Sequence, residues 1–182
     1  MSAEQFWAYS LSVYESGEVR TTLLALQDSH GLDVNLLLFC CWQAHQGVVI
    51  DAKTLNTLST ALTPWRTRVT QPLRAARRAL KSNTFVGLER ETQALRQQVL
   101  DVELCSEQVG QRVLVAAWEA TRRPMSTPLP QPLLATFEIL CGSLRADPVA
   151  AMALLRNLAK HVEPPPGVRP QRSTKACSSP AN

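Results

Sequence analysis

The run Leu36–Trp42 is apolar at every position, and nothing else in the chain is as hydrophobic. A helix through it has no polar face, so other helices must cover it. It falls far short of the ~20 apolar residues that a bilayer crossing needs. The pattern predicts a buried central helix over residues 32–46 of an all-α, compact multi-helix bundle. Asp33 stands where it can cap that helix, and Gly47 where it ends.

The flanking pattern is helical as well. Ser2 with Gln5 has the spacing of a capping box, and Phe6, Tyr9, Leu11 and Val13 give a short first helix to about Glu15. Ser16-Gly17 breaks it. A second helix follows over Glu18–Ser29, with Val19, Leu23, Leu24 and Leu26 as its apolar face and His30-Gly31 as its stop. Beyond the central helix, Asp51 caps a helix carrying Leu55, Leu58 and Leu62. Thr63-Pro64 is expected to end it and start another, with Pro in the first helical position. Pro72 is expected to break or restart that one. On a helical wheel Val69, Leu73, Ala76 and Leu80 share a face, and Arg74, Arg77, Arg78 and Lys81 share the neighbouring one.

The longest helical stretch runs over residues 88–122 without a proline. Leu88, Thr92, Leu95, Val99, Val102, Ser106, Val109, Val113 and Ala116 alternate steps of four and three, a heptad seam with two polar positions. A single helix of that length outruns a domain of this size. Either Gly110 bends it or part of it projects and packs on another chain. Residues 124–132 hold four prolines and read as a stiff linker. Short helices are expected over 133–144 and 148–161, then a disordered tail over 162–182, so that residues 1–161 form one helical domain.

Charge changes this picture because it is blocked. Residues 1–51 carry six acids and one base, whereas residues 52–88 carry seven bases and no acid. The basic helix over residues 64–81 therefore offers Arg66, Arg74, Arg77, Arg78 and Lys81 as an anion-binding face, for membrane lipid or nucleic acid. The competing expectation is that the acidic N-terminal third neutralises it. A base-stacking surface is thin, since only Trp65 and Phe85 flank the arginines. A second cluster, Gln27, Asp28, Asp33 and Asn35, gathers around the start of the central helix. It reads either as capping with a buried Asn–Arg network or as a small ligand site facing Arg74 and Arg78.

Other chemistries find no motif. His30, His45 and His161 lack ligand spacing, and Glu-x-x-His, H-E-x-x-H, G-x-S-x-G and a phosphate-binding glycine loop are absent. Asp101, Glu103, Glu107 and Glu119 only distantly resemble the carboxylates of metal-binding bundles. No catalytic residue, metal site or cofactor is expected. The N-terminus lacks the basic region of a secretory signal, and no C-x-x-C pair occurs among Cys40, Cys41, Cys105, Cys141 and Cys177. Reduced thiols in a cytoplasmic protein are the expectation. Trp7, Trp42, Trp65 and Trp118 read as core anchors.

Two motifs carry a resemblance. One is Leu26-Gln27-Asp28 with His30 through Phe39 and Trp42. The other is Pro64-Trp65-Arg66 with Val69, Pro72-Leu73-Arg74, Arg77-Arg78 and Leu80-Lys81. Over residues 5–120 the chain resembles a family of short, uncharacterised proteobacterial proteins known as a domain of unknown function. The remainder, from the proline linker on, reads as an appended extension. The resemblance implies a bacterial, cytoplasmic, all-helical protein and transfers no catalytic residue.

Taken together, the expected function is that of a non-enzymatic interaction or scaffold protein. It would self-associate or bind a partner helix through Leu95, Val99, Val102, Val109 and Val113. This reading requires Leu95, Val99, Val102 and Val109 to stay exposed in the monomer. Anion binding through the basic helix is the alternative. A helical-bundle enzyme ranks third, and would need a concave pocket where Asp28 or Asn35 meets an arginine.

Overall fold

The structure is a computed structural model that describes residues 2–81, 87–121, 132–142 and 147–162. Its helices are α1 (Ala3–Tyr14), α2 (Gly17–His30), α3 (Val34–Ala44), α4 (Ala52–Trp65), α5 (Gln71–Lys81), α6 (Glu89–Thr121), α7 (Pro132–Gly142) and α8 (Pro148–His161). Among the described residues there is no strand, and the fold is all-α.

The helix starts follow from local chemistry. Ser2 Oγ accepts from the Gln5 N–H at 3.2 Å while Gln5 Oε1 accepts from the Ser2 N–H at 3.0 Å, which closes the capping box of α1. Asp33 caps α3 by accepting from the Leu36 N–H at 3.1 Å, and Asp51 caps α4 through the Thr54 N–H at 2.7 Å. Gly31 ends α2 in the left-handed region, at φ 67°. There its N–H and that of Leu32 reach back to the Gln27 and Leu26 carbonyls.

Every residue of α3 is buried, so the apolar run of the sequence is the centre of the molecule. Phe6 of α1 stacks on Trp42 at 5.0 Å and meets Phe39 edge-on at 5.3 Å. Trp118 of α6 closes on Phe39 from another side. The core is one cluster that also takes in Phe137, Leu140, Leu155 and Leu158 of α7 and α8. Polar ties fasten those helices. The Ile50 N–H donates to Thr136 Oγ1 at 3.1 Å, and Glu18 lies 2.7 Å from His161 Nε2.

Of the two proline signals, Pro72 marks the restart expected of it and Pro64 does not mark a boundary. Pro64 lies inside α4, not at a boundary, and Pro72 falls in the first turn of α5. A π-turn, Arg66–Thr70, joins the two helices residue to residue, with the Gln71 N–H bonded to the Arg66 carbonyl. Each proline removes one ladder bond. The wider turn between them re-registers the ladder and carries the helical path onward.

α6 runs unbroken for 33 residues, about 50 Å at about 1.5 Å per residue. Gly110 does not interrupt it. It is buried where α4 comes close: a Cβ built there would stand 3.4 Å from Leu62 Cδ1 and 3.6 Å from Trp65 Cδ1. The glycine serves close packing and not a bend. No helix among the described residues is long and apolar enough to cross a membrane. The proline linker 124–131 and the tail beyond Val162 lie outside the described residues.

Candidate functional site

α5 and α6 pack along one another, and the residues they turn inward are not the apolar set that periodicity selects. On α5, Leu73, Arg74, Arg77 and Leu80 are half-buried, whereas Ala76 is exposed. On α6, the buried positions include Glu103, Ser106, Gly110, Gln111 and Leu114. The interface is therefore charged. Arg74 Nε lies 3.3 Å from Glu103, and its guanidinium also donates to Glu107 and to Gln27 Oε1. Arg77 donates from Nη2 to Glu103 at 3.1 Å and makes a second bond from Nε. Ser106, a polar position of the heptad pattern, is explained by the π-turn. Its carbonyl accepts from Trp65 Nε1 at 2.9 Å, and its hydroxyl pairs with Thr70 Oγ1 at 2.8 Å.

The network extends into the core. Asn35, in the first turn of α3, donates from Nδ2 to Glu107 and accepts at Oδ1 from Gln111 Nε2 at 3.0 Å. The same Gln111 amide donates to Ser10 Oγ of α1 at 2.9 Å. Gln111 Oε1 has no hydrogen-bond partner among the described residues, although the side chain is 1% exposed. Burial pushes the Glu107 carboxyl above the ordinary carboxylate range, against the pull of Arg74 and with Asp33 adding to the rise. The Glu103 hydrogen bond raises Arg77 further above its already high value.

These groups form the floor of a cleft of about 260 Å³ between α1, α2, α5 and α6, with Asn35 and Gln111 at its back. Apolar side chains and the exposed Arg78 line the rest of it. Leu11, Leu24 and Leu104 line it while remaining exposed, and Trp7 and Leu100 stand half-buried beside them.

A second surface lies on the outer side of α6. Leu88 is 51% exposed, Leu95 48%, Val102 53% and Val109 36%. They recur every seven residues, so they form one stripe about 32 Å long that drifts only ~20° per repeat. Glu91 and Arg112, both exposed, flank it near opposite ends, and the exposed Cys105 sits beside its middle.

Four of the arginines expected to bind anions are paired instead. Arg74 and Arg77 are held by α6 and not by the acidic N-terminal third. Arg66 lies 3.9 Å from Asp33, and Arg78 lies 3.5 Å from Asp28 at the surface. Lys81 is exposed at the end of α5. The polar cluster divides accordingly. Gln27 and Asn35 enter the cleft floor, Asp33 caps α3, and Asp28 stays outside with Arg78. Of the seam residues, Leu95, Val102 and Val109 are exposed, whereas Val99 and Val113 are half-buried against the bundle. Glu103, Glu107, Gln111 and Ser10 were not among the expected site residues. Their signal was two carboxylates four residues apart on α6, matched to arginines three apart on α5. Among the described residues no group of three or more His, Cys, Asp or Glu could hold a metal ion.

The fold defines the chain as an all-α bundle around a buried helix, with its polar network concentrated at the α3–α5–α6 junction. The chain belongs to the family described as a protein of unknown function, DUF2390, whose model matches residues 5–114. The match takes in the whole cleft floor and the exposed stripe of α6. It stops short of α7 and α8, although these two helices complete the same core. Comparison with curated proteins and with solved structures gives no match.

Proposed function

We propose that the protein is a non-enzymatic helical interaction module that self-associates through the outer face of α6. The observation that supports this reading is the exposed line Leu88, Leu95, Val102 and Val109. Large aliphatic side chains scattered singly over a surface need no partner, but three in heptad register along α6, with Leu88 just ahead of it in the same register, form a seam. The flanking charges favour a second copy as the occupant. Antiparallel pairing about Val102 sets Leu95 of each copy against Val109 of the other. It also sets each Glu91 beside the other copy's Arg112, so the contact is isologous and closes on itself.

The pairing of Arg66, Arg74, Arg77 and Arg78 inside the molecule counts against the anion-binding alternative, since each would have to leave a carboxylate. The test is the doubly substituted Val102→Cys, Cys105→Ser protein under mild oxidation. Residue 102 lies on the two-fold axis of the antiparallel pair, so a disulfide-linked dimer is expected. The Cys105→Ser protein alone serves as the control. Failure to cross-link under conditions where residue 102 is alkylated overturns the arrangement.

A further inference from the structure

Among the described residues, α5 is the helix that buries no residue of its own. We infer that α5 is a hinged flap. It pivots at the π-turn, its catch is the lattice of Arg74 and Arg77 with Glu103 and Glu107, and its opening removes one wall of the cleft.

Three observations meet in this helix. The first is how little apolar area fastens it. Leu73 and Leu80 are only half-buried, and Ala75 and Ala76 are exposed. Burial stabilises in proportion to the apolar area removed from water, so α5 gains less from packing than its neighbours do. The second is the catch. Arg74 and Arg77 hold the two carboxylates of α6, and Arg74 also reaches Gln27 of α2. A rotation of α5 away from α6 breaks these bonds together. The Arg78–Asp28 contact adds little, because both side chains are mostly in water. The third is the pivot. Trp65 Nε1 and Thr70 Oγ1 both bond to Ser106 of α6, at 2.9 and 2.8 Å, so the π-turn is pinned as far as Thr70. Immediately beyond it, Pro72 has no N–H to give to the carbonyl of the preceding turn. On one side of that point the backbone is anchored, and on the other α5 is held by its arginines. Prolines and π-turns are where helices bend most readily.

Arg74, Arg77 and Arg78 are the residues that α5 gives to the lining of the cleft. Pivoting carries them outward and opens the cleft on that side. The bond from Asn35 to Glu107 stays, so α6 keeps its tie to the central helix. The stripe on the outer side of α6 takes no part.

The experiment is native-state hydrogen exchange of the full chain, read amide by amide by NMR at urea concentrations below the unfolding transition. The amides of residues 75–81 are expected to exchange as one group, roughly a hundredfold faster than those of residues 38–44 in α3. Their rate is expected to depend little on urea, because the opening exposes little surface. Arg77→Ala weakens the catch and is expected to speed the α5 amides about fivefold or more. Phe137→Leu loosens the core at α7. It is expected to speed the α3 amides and to leave the α5 amides unchanged, since the open flap keeps that packing. The inference is overturned if the α5 and α3 amides exchange at one rate with one urea dependence. It is equally overturned if Phe137→Leu speeds both alike, or if Arg77→Ala leaves the α5 amides unchanged.

Discussion

Arg74 of α5 donates to Glu107 of α6, and Glu107 in turn accepts from Asn35 at the start of α3. One carboxylate thus ties the central buried helix to the two helices that pack beside it. Glu107→Ala removes the acceptor and leaves Arg74 and Asn35 facing the gap. The pair is about four-fifths buried, so a loss of about 2–3 kcal/mol is expected, less than for a fully buried pair. Denaturant unfolding of the two proteins measures it.

The same residue has a pH signature. Burial holds the folded Glu107 carboxyl above its ordinary range, so the folded state binds that proton more tightly than the unfolded state does. Its contribution is therefore most favourable at low pH and is lost as pH rises through the folded value. Glu107→Gln removes the titration and keeps one of the two acceptors, so its pH-independent cost cancels when the two proteins are compared across pH. Its melting temperature relative to the unsubstituted protein is expected to rise from about pH 4 to about pH 7. A relative melting temperature that falls over the same range would contradict the sign.

Arg77 and Glu103 form the other half of the lattice, with two hydrogen bonds between them. Arg77→Ala, Glu103→Ala and the double variant complete a thermodynamic cycle. Coupling of about 1–3 kcal/mol is expected, because both side chains are largely shielded from water. Coupling near zero would mean that the pair is merely a surface contact.

Gly110 tests the close approach of α4 to α6. Gly110→Ala places its methyl at ordinary contact distance from Leu62 and improves helix propensity, so a gain of up to about 1 kcal/mol is expected. Gly110→Leu overpacks the same contact and is expected to cost about 1–3 kcal/mol. Thermal melts of both decide it.

The cysteines are expected to divide by burial. Burial pushes the Cys40 thiol up to about 12 and Cys41 well above its usual value, while Cys105 is exposed. In the native protein a maleimide is expected to label Cys105 and to spare Cys40 and Cys41, as peptide mass mapping would show.

The central helix, its Asp33 cap and the Gly31 stop were legible because each depends on residues within one or two turns. So was the all-α class. Pro72 stands in the first turn of α5 as expected, but Pro64 misled because the rule that proline marks a helix boundary assumes that the lost bond is not absorbed, and the π-turn that follows carries the chain onward. The inward face of α6 was illegible for a different reason. Apolar periodicity finds a buried face only when that face is apolar, and here it holds Glu103, Ser106, Gly110 and Gln111. Their partners Arg74 and Arg77 lie across a helix pairing that no local pattern specifies. The seam read from the heptads therefore proved to be two faces: Leu95, Val102 and Val109 outside, Val99 and Val113 partly covered.

The most direct test of self-association is the solution mass by light scattering, at low and at moderate salt, for the unsubstituted protein and for Val102→Asp. A dimer that persists in moderate salt is expected for the unsubstituted protein, because the seam is apolar, and a monomer for the variant. A monomer for both proteins at both salts would contradict the proposed function.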